Sequence, residues 1–446
     1  MNKAFMEKFW AEISRMRSSL SMLEAYRLII HVMLFRYVDI KKDIIPAYAV
    51  EYSVDFLARL YGDLVSQEKV VDYIRKVEQD IIPGDGIVSG SLAGLLEKAD
   101  NGHVQMLFKA IAEMNLREDQ MYDTAVSLLD SIAYTHGSGT EGISLNLSLC
   151  KLEGRLLGCR EGMQVYDGFC GYGLSVNEAA DGKATIYMQD KDIDSVAIAV
   201  ILALFRGNRI ETAKCADSLV NPLGNEKFDR IVMESPIGAR YGGGYLQSIP
   251  AENCAFPDIK DGECLTLQHA CARLADDGIA VVLVSAGILS KSGKIAEIRE
   301  KLVRSCLDAV IELPSGVLPN VAAAVAILIL KKNRENDAVF MVNAKSFFDK
   351  SGRNRLQISD ENINKIVSLY ENREEVEEIS SNQTEADIIQ KGCNLCTSQY
   401  VISNPHSMIR TGEVAEYMKE YAGYASQLAE IEKELDAVRS RFIIRK

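Results

Sequence analysis

A chain of 446 residues, 48% apolar and 25% charged, has the make-up of a globular protein and is too long for one ordinary core, so two or three domains are expected. Its formal net charge of −13 argues against an unaided grip on nucleic acid, because neutralising phosphates takes Lys and Arg. The longest apolar run, VAAAVAILIL at 321–330, is too short to span a bilayer, and the charged stretch MNKAFMEKFWAEISRMRSSL lacks the apolar core of a signal peptide, which together predict a cytoplasmic protein with no membrane partner.

In chain order, helical spacing comes first. Apolar residues recur at three- and four-residue intervals in AYRLIIHVMLFRYVDI (25–40) and DTAVSLLDSIAY (123–134), which predicts an all-helical domain over 1–132, broken most clearly at IIPGDGIVSGS (81–91). That domain carries no catalytic signature of its own. From about Met163, short apolar runs alternate with helical stretches, the mark of a parallel sheet with crossover helices. The expected strands are MQVYDGF, ATIYMQD, AKCAD, DRIVMES, GIAVVLVSA, LDAVIELP and VAILILKK, with helices such as DSVAIAVILALFRG and KIAEIREKLVRS between them. The fold class is therefore α/β, a doubly wound sheet. Only SGVLPNVAA separates the last two strands, too short a link for a parallel crossover, so they are expected to pair antiparallel as an edge hairpin.

Beyond about Asp349 the chain turns polar. The acidic run ENREEVEEISSNQTEAD (371–387) reads as a solvated helix or linker, which makes 351–410 a connecting region. In 411–446, Val414, Met418, Tyr421, Ala425, Leu428, Leu435, Val438 and Phe442 fall mostly three or four apart. Such a stripe fits a helix docked on a partner or packed on the chain's own body. The ten cysteines read as buried small hydrophobes, and CNLC (393–396) lacks the second Cys or His pair that a zinc site needs, so no metal is expected.

Chemistry gathers at strand ends. VYDGFCGYGLS closes the first strand with Asp167 and follows it with Gly168, Gly171 and Gly173, residues that let the backbone turn tightly before a helix amino terminus. The second strand ends on Asp190, about twenty residues later, where a carboxylate accepts from ribose hydroxyls in nucleoside sites. A third, in CADSL, puts Asp217 where an adenine amino group would be met. Each acid alone reads equally well as a helix cap. Three in succession point to a nucleoside cofactor. FDRIVMESPIG (228–238) then ends a buried strand on Glu234 and a Ser-Pro turn.

At these residues the chain resembles the modification subunits of type I restriction–modification systems, S-adenosylmethionine-dependent adenine-N6 DNA methyltransferases. YDGFCGYG stands for the family's Asp-Pro-x-Cys-Gly-x-Gly loop, YMQD for its Gly-Gln-Glu strand end, FDRIVMESPIG for its Phe-Asp-…-Asn-Pro-Pro-Phe-Gly motif, and AYTHG (133–137) for its Tyr-Thr-Pro. The resemblance implies a methyltransferase domain over 133–350 and a partner-docking helix over 411–446. It implies S-adenosylmethionine held by Tyr134, Thr135, Asp167, Gly168, Phe169, Gly171, Gly173, Asp190, Asp217 and Ser218. It also implies a catalytic loop at Glu234, Ser235, Pro236 and Ile237. The implied partners are DNA, a specificity subunit and a second modification subunit or a restriction subunit.

The catalytic loop departs from the pattern. Glu234 replaces Asn, Ser235 replaces the first Pro and Ile237 the aromatic, while Pro236 and Gly238 match. The family's Asn amide and first Pro carbonyl hold the flipped adenine's amino group and its aromatic ring stacks on the base. Three readings of Glu234 stay open: a working acceptor, a decayed site on a scaffold that still binds cofactor, DNA or a specificity subunit, and a changed substrate. Tyr241 and Tyr245, nearby in ARYGGGYLQ, offer aromatic rings in place of the one lost at Ile237. Truncation at about Thr411 should leave the preceding domain folded but abolish co-purification with a specificity subunit, and equal recovery of the complex would refute the docking helix.

Overall fold

The computed structural model describes residues 3–41, 52–81, 86–135, 146–224, 226–234, 236–254, 258–319, 321, 323–334, 336–352 and 355–401, with six scattered positions between 421 and 433. The expected carboxyl-terminal helix thus lies almost wholly outside the described residues. Seven helices come first: α1 (Lys3–Met16), α2 (Met22–Ile40), α3 (Val54–Leu60), α4 (Gln67–Ile81), α5 (Ile87–Lys98), α6 (Asn101–Met114) and α7 (Glu118–Thr135). Of these, α2 is the central one. Ser21 caps its first turn, accepting from the Glu24 amide while the Glu24 carboxylate accepts from the Ser21 amide, and the helix is buried nearly all round. No helix among the described residues is long and apolar enough to cross a membrane.

Then come α8 (Leu147–Leu157), β1 (Gln164–Asp167), α9 (Leu174–Ala180), β2 (Thr185–Asp190), α10 (Ile193–Arg206), β3 (Arg209–Cys215), β4 (Phe228–Glu234), α11 (Gly243–Gln247), α12 (Gly262–Arg273) and β5 (Leu274–Ser285). The remaining elements are α13 (Lys294–Ser305), β6 (Leu307–Ser315), β7 (Ala324–Lys331), β8 (Val339–Asn343), β9 (Phe348–Gly352), β10 (Arg355–Ile358), α14 (Asp360–Asn372), β11 (Ser380–Gln383) and α15 (Glu385–Gln390). Nine strands make one sheet in the order β11-β8-β6-β7-β5-β4-β1-β2-β3. From β3 to β5 it is parallel. The chain order reverses between β1 and β4, so the carboxyl ends of these strands frame the crevice where such sheets bind ligands.

The sheet is doubly wound. One apolar core joins the amino-terminal helices to the face covered by α8, α9 and α10, and a second fills the other face beneath α12 and α13. The helical region therefore shares its core with the sheet, because α10 is apolar all round and packs on both.

Three expectations change in detail. β6 and β7 pair antiparallel as their short link requires, but they do not end the sheet, since β8 runs parallel to β6 and β11 adds antiparallel beyond it. AKCAD is strand only in its first three residues: β3 starts earlier, at Arg209, and stops at Cys215, leaving Asp217 two residues past its end. The stretch expected as a polar connection instead folds onto the sheet. Ile363, Ile366, Val367, Leu369 and Tyr370 of α14 are buried, and the acidic run supplies the end of α14, β11 and the start of α15.

Buried polar side chains fasten this last region. The Asp308 carboxylate accepts from Tyr370 Oη at 2.8 Å and pairs with Arg373 and Lys331. Arg299 is buried, and its guanidinium donates to the carbonyls of Cys393 (2.7 Å), Ile288 (2.8 Å) and Lys291 (2.7 Å). Arg299→Met should leave these carbonyls unpaired and cost about 2–4 kcal/mol, since each buried orphan costs roughly 1–3 kcal/mol. Chemical denaturation reads the loss, and limited proteolysis should cut first within 376–400.

Candidate active site

A cavity of about 570 Å³ opens at the carboxyl ends of β1, β2 and β4. Its wall includes Asp167, Gly168, Phe169 and Gly171 from the loop after β1, Asp190, then Asp217 and Ser218 after β3, and Glu234, Pro236 and Ile237 after β4. Ten of the expected site residues thus meet in one space. Gly173 lies behind it, with φ 72° and so little room that a Cβ would sit 2.7 Å from Ala199 Cβ. Tyr134 and Thr135 close α7, and their side chains fall outside the described residues, as does Ser235.

The acids at the strand ends are held by backbone amides. Asp167 Oδ1 accepts from the Phe169 amide at 3.0 Å. Burial pushes the Asp167 carboxyl well above the ordinary carboxylate range; the Phe169 amide opposes the rise, and the charges of Glu234 and Asp190 add to it. Asp190 accepts from the amides of Gly171 (2.9 Å) and Asp192 (3.0 Å), which ties the end of β2 to the glycine loop. Asp217 accepts from the Leu219 amide at 3.1 Å and from Tyr245 Oη at 2.8 Å. Tyr245 in turn stacks on Tyr241, ring centroids 4.4 Å apart and planes 16° off parallel, and the Tyr241 ring borders the cavity.

Glu234 faces a network that the sequence did not announce. Ser175 Oγ on α9 lies 2.8 Å from Glu234 Oε1 and 2.6 Å from Glu153 Oε2 on α8, and Cys150 Sγ lies 3.9 Å from Glu234 Oε1. Glu153 is fully buried and its Oε1 has no hydrogen-bond partner. Burial pushes the Glu234 carboxyl up to about 7 against the pull of the Ser175 and Cys150 bonds. Burial also drives Glu153 well above the ordinary range, and the Glu234 charge adds to that rise. Ligand atoms of Cys150, Glu153 and Glu234 lie within 4.8 Å of one another, a spacing that suits a metal ion. The Ser175 hydroxyl stands between the two carboxyls and links them by hydrogen bonds.

The loop beyond Glu234 is held from outside the cavity. Gly238 N–H donates to Glu263 Oε1 at 3.2 Å, while Glu263 Oε2 accepts from the Ser285 amide and hydroxyl. Pro236 keeps its carbonyl on the Ala239 amide at 3.0 Å. On the opposite wall stands Arg27 of α2, a residue from the region without catalytic motifs. Its guanidinium donates to Tyr172 Oη and to Asp194 Oδ2, each at 2.8 Å, and lies 3.4 Å from Asp192 Oδ2.

Sequence reasoning missed Arg27, Ser175, Glu153 and Cys150. Two signals were present: an Arg inside the apolar run AYRLIIHV, and Glu153 four residues after Leu149 on the apolar face of α8.

The sequence profile of the N-6 DNA methylase family matches residues 148–408. The chain belongs to this family. It is 26% identical over 240 residues to the type I restriction enzyme MpnII methylase subunit of Mycoplasma pneumoniae, covering 52% of this chain and 43% of that one. Over 279 residues it is 27% identical to the MjaVII methylase subunit of Methanocaldococcus jannaschii, with coverage of 55% and 47%. The chain spans about half the length of these N-6 DNA methylase relatives. The fold is also similar to the type I restriction–modification methyltransferase subunit of Streptococcus thermophilus, with a TM-score of 0.69, 19% identity, and coverage of 90% of this chain and 100% of that one. A modification subunit of a putative type I restriction enzyme from Vibrio vulnificus gives a TM-score of 0.68 at 16% identity, with coverage of 86% and 93%. Glu234, Pro236 and the three acids thus sit on an N-6 DNA methylase scaffold.

Arg27→Met should cost about 1–3 kcal/mol by stranding Asp194 and Tyr172, and Arg27→Lys should recover only part because Lys lacks the forked donors. Urea denaturation of the three proteins checks the order.

Proposed function

We propose that the protein is the modification subunit of a type I restriction–modification system, transferring a methyl group from S-adenosylmethionine to adenine N6 in DNA. One observation carries the reading: the three acids and the loop after β4 border the same cavity. Methyl transfer needs donor and amine within bonding reach, so the cofactor site and the base-holding loop must open into one space.

The residues present fit the cofactor. Its size suits a cavity of about 570 Å³, and the wall alternates apolar surface with carboxylates. Asp190 would accept from the ribose hydroxyls, Asp217 from the adenine amino group, and the Asp167–Gly171 loop would hold the amino-acid end. When bound, the cofactor supplies an activated methyl group on a sulfonium.

The chain's own groups do the rest. Glu234 meets the amino group of an adenine turned out of its stack, and Tyr241 offers the flat face that Ile237 does not. With a net charge of −13, the chain relies on a specificity subunit and a second modification subunit for much of its hold on DNA.

Calorimetric titration should show S-adenosylmethionine binding that Asp190→Ala weakens by about 1.5–3 kcal/mol, the range for a hydrogen bond to a charged group. Labelled methyl should reach DNA when the specificity subunit is present. Absence of binding at millimolar cofactor would remove the enzyme reading. Binding without transfer would leave a scaffold.

A further inference from the structure

Ser175 has one hydroxyl proton, yet its oxygen lies within hydrogen-bond distance of two carboxyls, 2.6 Å from Glu153 and 2.8 Å from Glu234. A hydroxyl donates once. The second contact therefore needs a proton on one of the two carboxyls. Among the described residues, the groups that face this pair are Cys150 from α8, Ser175 from α9 and Asp167 from β1, and none is a cation. Two bare carboxylates buried together without a cation are costly, so a proton stays between them. Glu153 is fully enclosed and holds it, whereas Glu234 borders the cavity and takes the charge once the pH passes about 7.

We infer that Glu234 is the proton acceptor of the methyl transfer, backed by Ser175 and Glu153 as positioning residues that share one proton with it. The inference rests on the methyltransferase reading above and deepens it. An amine nitrogen that bonds to the incoming methyl carbon does so as the carbon–sulfur bond breaks, leaving a neutral thioether and a positively charged nitrogen. That nitrogen must release a proton. The family's Asn cannot take one, but the Glu234 carboxylate does, and the charges balance: sulfonium and carboxylate become thioether and carboxylic acid. The proton then passes outward when product leaves, since Glu153 behind Ser175 is already protonated. A Glu234 carboxyl raised to about 7 is matched to this role, because a base works best with a pKa near the working pH.

Three measurements test it, two of them without turnover. Infrared spectra of the protein alone at neutral pH should show a protonated-carboxyl signal from which Glu153→Gln removes one component and in which Ser175→Ala shifts that component. Absence of the band, or a band indifferent to both changes, overturns the shared proton. Thermal stability gives the second reading. Folded Glu234 keeps its proton up to about pH 7 and an exposed Glu only to about 4.5, so the folded state binds more protons in that window and loses stability as pH rises through it. Glu234→Gln should flatten that fall, and an unchanged slope counts against the proposal.

The third is single-turnover methyl transfer to DNA with the specificity subunit and saturating S-adenosylmethionine. The unmodified rate should rise with pH to a plateau near the Glu234 pKa, Glu234→Gln should lower it about 10²–10⁴-fold with cofactor affinity retained, and Ser175→Ala should move the rising limb. An active protein whose rate ignores Glu234→Gln refutes the acceptor role. A protein inactive throughout, yet binding cofactor and DNA, refutes the methyltransferase reading while the infrared band still decides the shared proton.

Discussion

Burial of negative charge at the carboxyl end of a parallel sheet is the constraint around which this molecule is arranged. Asp167, Glu153 and Glu234 converge there from β1, α8 and β4, and burial drives all three carboxyls upward. A fold has three remedies for such charge: a cation, hydrogen bonds to the charged form, or a proton. Backbone amides serve Asp167 and Asp190. The hydroxyl of Ser175 serves the Glu153–Glu234 pair. Of the two cations among the described residues of the cavity wall, Arg27 is committed to Asp192, Asp194 and Tyr172, and Lys191 is exposed to solvent, so the innermost acids depend on protons.

That commitment explains why the helical region is more than an appendage. Arg27 reaches across from α2 to Tyr172 in the glycine loop, and Ser91 of α5 donates to the same Asp194 at 2.8 Å. The start of α10 is therefore fixed from both helices, and with it the direction in which the chain leaves Asp190. Gly90 on α5 lets the helix approach closely, since a Cβ there would stand 3.3 Å from Ile193 Cδ1. Cofactor-loop geometry and helical packing are one mechanical problem, consistent with a continuous apolar core.

What the sequence displayed followed burial. β1, β2 and β4 lie between helices on both faces, so they read as apolar runs with an acid at the end, and the glycine loop reads from spacing alone. β8 and β11 did not read so. VFMVN is only five residues long, and SSNQ joins the sheet through its backbone with almost no apolar side chains, leaving no periodicity to detect. β3 was placed too late because the first half of the edge strand, RIET, is half-exposed and polar and carries a weaker signal than the AKC that ends it. The Ser175–Glu153 network and the Arg27 contacts were hidden for another reason: Arg27 meets partners 145 to 167 residues away, and no local pattern encodes such a pairing.

The altered loop makes sense only as a whole. Glu in place of Asn puts a longer, ionisable side chain at the end of β4, where the Ser175 hydroxyl of α9 lies 2.8 Å from it and links it to the Glu153 carboxyl of α8. Losing the ring at Ile237 is answered by Tyr241, which borders the same cavity and is stacked on Tyr245. Tyr245 is anchored in turn by its hydroxyl on Asp217. The flat face beside the catalytic loop and the acid after β3 are therefore joined by one ring contact and one hydrogen bond. Removing Ser175 would leave both Glu153 and Glu234 short of a hydrogen-bond partner, and removing either carboxyl would leave Ser175 short of one, so the end of β4 and the two helices behind it form one polar unit.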